Sequence, residues 1–425
     1  MRVQFSSRLG AVAATALSAA TIGGVAATAA SAWNTPARPT LYVNNSTGSG
    51  YGAGPATAAR HDGRSHHDHH GSGSGSCASA AYTKIGQAVA AATVPGTQIV
   101  VCPGTYRGED VTVTKNVSIE GVQATVDATG QSNGFTLLAP AAGTTIKGFT
   151  IENAVGEGVL ALGTSDVSIL DNTVQDNDKG VGKLGVGYPQ CEPTKENPFP
   201  DCGEGVHLMG TSNSHVVGNM IRDNAGGVLM TDEVGPTADN LIARNWVLDN
   251  TLDCGITMAG HNPAAAPGGV PAPKVAGVYG NLIKDNVAEG NGVLGQGAGI
   301  LLAAGIPIGG GAVYDNTVSG NLTKGNGLAG VTVHNHFPGQ DLNGNKIVHN
   351  RIGTNNLDKD EDFPVKDKET TGVFVGSAGE PHLTITIRHN VIYSNAVGIF
   401  LTGPINTEDI NHNHFFEVKT DVVGP

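Results

Sequence analysis

Residues 219–250 read NMIRDNAGGVLMTDEVGPTADNLIARNWVLDN. Two asparagines five residues apart, Asn219 and Asn224, bracket a short apolar stretch, and the bracket returns 26 residues later at Asn245 and Asn250. Between the brackets lies GVLMT from Gly227, where Val228 and Met230 recur with the period of two that marks a strand. A unit of this length, made of short strands with no helical period, cannot bury its own apolar side. It has to stack on copies of itself.

The bracket recurs at Asn172/Asn177, Asn286/Asn291, Asn316/Asn321, Asn350/Asn355 and Asn390/Asn395. After most brackets comes a strand of the form Gly-apolar-x-apolar: GVHLM from Gly205, GITMA from Gly255, GILLA from Gly299, GVTVH from Gly330, GVFVG from Gly372 and GIFLT from Gly398. With 62 glycines and only 14% charged residues, the composition suits many short strands and turns rather than helices. The predicted fold is all-β, a parallel β-helix whose recurrent asparagines form amide ladders along the axis. Ahead of the repeats, Ile85, Val89 and Ala92 fall at helical spacing until Pro95-Gly96. This predicts a short N-terminal helix capping the open end of the solenoid, where apolar core and strand edges would otherwise be exposed.

Residues 1–32 carry Arg2, Arg8, an Ala-rich apolar run and Ala30-Ser31-Ala32, the pattern of a secretory signal peptide. Residues 33–76 read as a flexible Gly/Ser/His-rich lead, and 77–420 as the β-helix domain. No later segment offers ~18 consecutive apolar residues, so no membrane span is expected and the chain is read as secreted, extracellular or in the cell envelope. A net charge of −13 argues against a nucleic-acid partner. Of five cysteines, spacing pairs Cys77 with Cys102 and Cys191 with Cys202, leaving Cys254 as a buried free thiol.

The segment YTKIGQAVAAATVPGTQIVVCPGTYRGEDVTVTKNVSIEG, residues 82–121, together with the Asn-bracketed repeats, resembles the right-handed parallel β-helix superfamily over roughly residues 78–418. That superfamily includes pectin-lyase-like, NosD-type copper-related and carbohydrate-binding β-helix proteins. The resemblance implies the fold and a polysaccharide or cell-surface glycan as partner. It transfers no catalytic residue, because the Gly-His-Gly, Asp-Phe-Ile-Phe-Gly and Asp-Pro-His-Asp motifs of its hydrolases, esterases and epimerases are absent here.

Register within the repeats locates a candidate site. One and three residues after each strand glycine the side chain is apolar and faces inward, so positions two, four and six face outward. The sixth positions in consecutive strands are Glu233, His261, Gly305 and His336, and the fourth are Thr231, Ala259, Ala303 and His334. Asp232, Asp253 and His207 fall nearby, around a floor of alanine and glycine. Histidine suits proton transfer near neutral pH, and paired carboxylates, with Asp341 as a further member, suit glycoside hydrolysis. The catalytic candidates are therefore Asp232, Glu233, Asp253, His261, His334 and His336, with His207 and Asp341 as substrate contacts. The expected function is that of a polysaccharide lyase or glycoside hydrolase. The alternative is a non-catalytic NosD-type or glycan- or metal-binding β-helix, in which a bound Ca²⁺, Zn²⁺ or Cu²⁺ would be the cofactor.

Overall fold

A computed structural model describes residues 38–45, 76–181, 191, 202–261, 277–295, 297–304, 311–360, 366–379 and 382–424. The segment read as a signal peptide, the histidine-rich run from His61 and residues 192–201 between Cys191 and Cys202 lie outside the described residues.

Each strand of the repeats pairs in parallel with its equivalent one turn away. Eleven of them form one sheet, from Val111–Val113 through Glu204–Met209, Gly226–Thr231, Ile256–Gly260, Ile300–Ala304 and Val331–Asn335 to Thr420–Val423. The other long sheet has 21 strands. Val228 pairs with Ile256 and Met230 with Met258, and the columns continue to Ile300 and Leu302, then Val331 and Val333. All eight side chains are fully or almost fully buried in a single core cluster, so the glycine-based register holds. Gly227 is needed where one turn crosses the next: a Cβ there would collide with the Gly255 carbonyl and the Val247 side chain.

The asparagines build the predicted ladders. Asn245 Oδ1 accepts the backbone N–H of Asn219 at 2.9 Å and its side-chain amide at 3.0 Å. In turn, Asn245 Nδ2 donates to Val216 O at 2.8 Å and to Asn286 Oδ1 at 3.0 Å. The same geometry links Asn224, Asn250, Asn291, Asn326 and Asn355. A third ladder, Asn240, Asn281, Asn316 and Asn345, runs five residues ahead of the first. Each amide satisfies backbone groups that a corner would otherwise bury without a partner. The residue before many ladder asparagines is Asp176, Asp223, Asp249 or Asp285, with φ between 54° and 58°. Aspartate tolerates this left-handed conformation. The sequence motif Asp-Asn is thus a corner followed by its hydrogen-bonding clamp.

The predicted cap is the helix Ile85–Ala91, which buries Ile85, Ala88 and Val89 against the first turn. Glu109 accepts the N–H groups of Ile85 and Gly86 at the helix start. One boundary needs correction. Thr40–Val43, read from sequence as part of the flexible lead, is a strand paired in parallel with Thr97–Val101. Leu41 packs on the core and Val43 is buried in it, so the surrounding Pro, Gly and Ser composition hid a short apolar strand. Cys77–Cys102 and Cys191–Cys202 are disulfides, and Cys254 is free and buried.

Candidate functional site

The site begins where the strand Gly226–Thr231 ends. Glu233 and His261, on adjacent turns, face each other with Oε1 3.3 Å from Nδ1, and both side chains are nearly buried. Asp232 falls at the fifth position, which alternation would turn inward, but the strand has ended by then. Its carboxylate instead accepts the backbone N–H of His261 at 2.6 Å and that of Gly277 at 2.5 Å. Asp232 therefore holds the backbone from which His261 projects. Burial pushes its carboxyl up to about 6, against the pull of those two N–H groups and of His261.

A second buried cluster adjoins the first. His207 places Nδ1 3.5 Å from Glu157 Oε1 and Nε2 2.8 Å from Thr231 Oγ1, forming a carboxylate–imidazole–hydroxyl chain. Glu157 Oε2 accepts the Glu204 N–H at 2.9 Å. Gly226 lies between Glu204 and Asp253, since a Cβ there would sit 3.3 Å from both the Glu204 Oε1 and the Asp253 Cβ. Burial raises the Asp253 carboxyl, and it raises the Cys254 thiol still further, with Asp253 adding to that second effect. Sequence reasoning missed Glu157 and Glu204. The available signal was the tetrapeptide GEGV, which occurs at 156–159 and again at 203–206 on the next turn.

The predicted floor is in register: Thr231 pairs with Ala259, Ala259 with Ala303 and Ala303 with His334. At its far end, His334 and His336 bring their Nε2 atoms to 3.3 Å, with ring centroids 4.7 Å apart. Burial and the neighbouring His336 push His334 down to about 3, and burial also lowers His336. Both are neutral imidazoles at neutral pH. His334 takes up its proton in the unfolded chain near pH 6.5 but in the folded chain only near 3, so the native state binds fewer protons between these values. Stability is accordingly complete above pH 6.5 and is lost as the pH falls toward 3. Asp232, with its raised value, works in the opposite sense, favouring the fold below about 4 and losing that advantage as the pH rises through 6. In metal-free buffer, His334→Asn should flatten the acid limb of a denaturation series by up to about 1 kcal/mol per pH unit, and an unchanged limb would place the titration elsewhere.

Several predicted site residues stand apart. His207 is completely buried and engaged by Glu157 and Thr231, so it is not a surface contact. Asp253 precedes the strand Ile256–Gly260 whereas His261 follows it, which separates them by about 16 Å of strand. Asp341 is exposed and accepts the backbone and side-chain N–H groups of Asn343, which makes it a turn cap. His334 and His336 lie two strand spacings, about 10 Å, from the His261 level, too far to share one bond with it. Gly305 and the segment 262–276 are outside the described residues. Among the described residues, no three His, Cys, Asp or Glu side chains group so as to hold a metal ion.

No curated protein matches the sequence. Among solved structures, an alginate lyase from Paenibacillus superposes with a TM-score of 0.51 at 14% identity, over 75% of this chain and 95% of that one. The surface adhesin PfbA of Streptococcus pneumoniae gives a TM-score of 0.43 at 10% identity, over 79% and 86%. At such identities the likeness is one of fold. In sequence, the family described as right handed beta helix region matches residues 107–352, more than half of the chain, and the chain belongs to that right-handed β-helix family.

Proposed function

We propose that this is a secreted polysaccharide-active enzyme that cleaves a glycan lying across the outer face of the eleven-stranded sheet. The observation that carries this reading is the Glu233–His261 pair. A carboxylate 3.3 Å from Nδ1 favours the tautomer in which Nε2 is basic, and it stabilises the imidazolium formed when a proton is taken. Asp232 fixes the backbone beneath it. His261 then serves as general base, Glu233 as the group that orients it, and Asp232 as a positioning residue. The reaction this serves best is β-elimination, in which the base removes the proton beside a uronate carboxyl and the bond to the leaving sugar oxygen breaks.

Hydrolysis is the second reading. It is favoured by Glu204 and Asp253 on either side of Gly226, the latter with the raised carboxyl a general acid needs. A panel of uronate and neutral polysaccharides, read by product mass and by ultraviolet absorbance, separates the two. Elimination leaves absorbing unsaturated ends, whereas hydrolysis adds one water per cut and leaves none. Silence on every polysaccharide would end the enzymatic reading.

A further inference from the structure

The pair at the far end of the floor does something the Glu233–His261 pair does not. We propose that His334 and His336 are the protein half of a binding site for a borderline divalent ion of the Zn²⁺ type. The inference does not depend on the enzymatic reading.

The two histidines are on one face because they stand two residues apart at the end of the strand Val331–Asn335. Both side chains are aimed by neighbours. Val333 is buried in the core between turns, and Asn335 Oδ1 accepts the Ala378 N–H at 2.7 Å. Gln340 Oε1 accepts the N–H groups of His336 and Phe337 at 2.9 and 3.0 Å, fixing the turn that carries the second ring. The two Nε2 atoms therefore meet at 3.3 Å on a held backbone. That separation is longer than the usual N–H···N or N–H···O hydrogen bond of about 3.0 Å. It equals the ligand-to-ligand edge of a tetrahedron with Zn–N bonds of 2.0–2.1 Å, about 3.3–3.4 Å.

At the His334 level the paired strand residues are Ala303 and Gly376, so neither neighbouring strand presents a side chain larger than a methyl group there. Imidazole nitrogen selects Zn²⁺, Cu²⁺ or Ni²⁺ over Ca²⁺ and Mg²⁺, which take oxygen. With no third His, Cys, Asp or Glu joining the pair among the described residues, the other positions would fall to water and to an oxygen of whatever lies on the floor. Such a two-ligand site binds weakly and exchanges its ion.

The test uses the full chain with His61, His66, His67, His69 and His70 changed to Ser, and His349, His389 and His412 changed to Asn, which removes the His-rich run and the stacked imidazole column that would compete. After treatment with chelator, it is titrated with Zn²⁺ by calorimetry and with Co²⁺ by visible absorbance, the latter reporting tetrahedral coordination. His334→Asn and His336→Asn are measured in parallel, with circular dichroism showing that each is folded. The expected result is one equivalent bound, a tetrahedral Co²⁺ spectrum, and an affinity at least tenfold weaker in either variant. Cu²⁺ paramagnetic resonance on the unmutated pair should show two nitrogen ligands, which keeps the test decisive if a variant misfolds. Absence of binding, or binding that survives both substitutions, would overturn the proposal.

Discussion

His261→Ala is expected to lower kcat by about 10²–10⁴-fold in the proposed elimination reaction, which is the usual worth of a positioned general base. His261 lies past the end of its strand, outside the apolar core, but its loss also leaves the Glu233 carboxylate buried without a partner, so the melting temperature should fall as well. The side chain has one special feature, the Glu233 carboxylate 3.3 Å from Nδ1. Removing the ring leaves that carboxylate buried without its imidazole, so Glu233→Gln is the companion measurement. It keeps shape and volume while cancelling the charge, and should cost about 10–100-fold through the orientation and basicity of His261. The two losses should not add, since Glu233 acts only through the ring. An Ala variant that keeps more than about a tenth of the activity would remove His261 from the chemistry.

Asn245→Ala should cost about 3 kcal/mol of stability. Asn245 is completely buried. Its Oδ1 is the acceptor for both the Asn219 backbone N–H and the Asn219 amide, and its Nδ2 is a donor to the Val216 carbonyl. The Asn219 amide keeps a bond to Ile169 O, and Asn286 Oδ1 keeps the backbone N–H of Asn245. The Asn219 N–H is left without its acceptor, and the Val216 carbonyl loses one of its donors. A buried donor or acceptor left without a partner costs about 1–3 kcal/mol, and the missing amide leaves a small void besides. Thermal melts should fall by several degrees. Asn245→Asp keeps the acceptor but buries a charge, and should be worse than Ala at neutral pH while recovering on acidification. A melt unchanged within about 1 °C would mean that the ladder adds no net stability.

Much of the architecture could be read before any coordinate. The Asn brackets marked the corners, and the Gly-apolar-x-apolar strands set the register that aligns Thr231, Ala259, Ala303 and His334. Both disulfides and the capping helix were legible for similarly local reasons. The third ladder at Asn240 was visible in principle, five residues before Asn245, yet in several turns its place is held by other residues, such as Ser214, which weakens the pattern. The site was less legible. Asp253 and His261 look close in sequence but lie at opposite ends of one strand. Glu157 and His207 are 50 residues apart and meet only because the strands beside them pair in register across that separation.

What the sequence by itself determined is what a repeat can carry: the period, the direction in which each strand side chain points, and the requirement that turns stack. Those follow from local geometry, because side chains alternate along a strand and a unit that cannot bury its own apolar face must find a copy. Only the tertiary structure decided which polar groups meet. Thr231 ends its strand one residue before Asp232, and from that point alternation no longer governs direction. The Asp232 clamp, the Glu233–His261 pair and the buried Glu157–His207–Thr231 chain each join different turns. Contacts of that kind depend on where strands stop and how loops return, which no single repeat records.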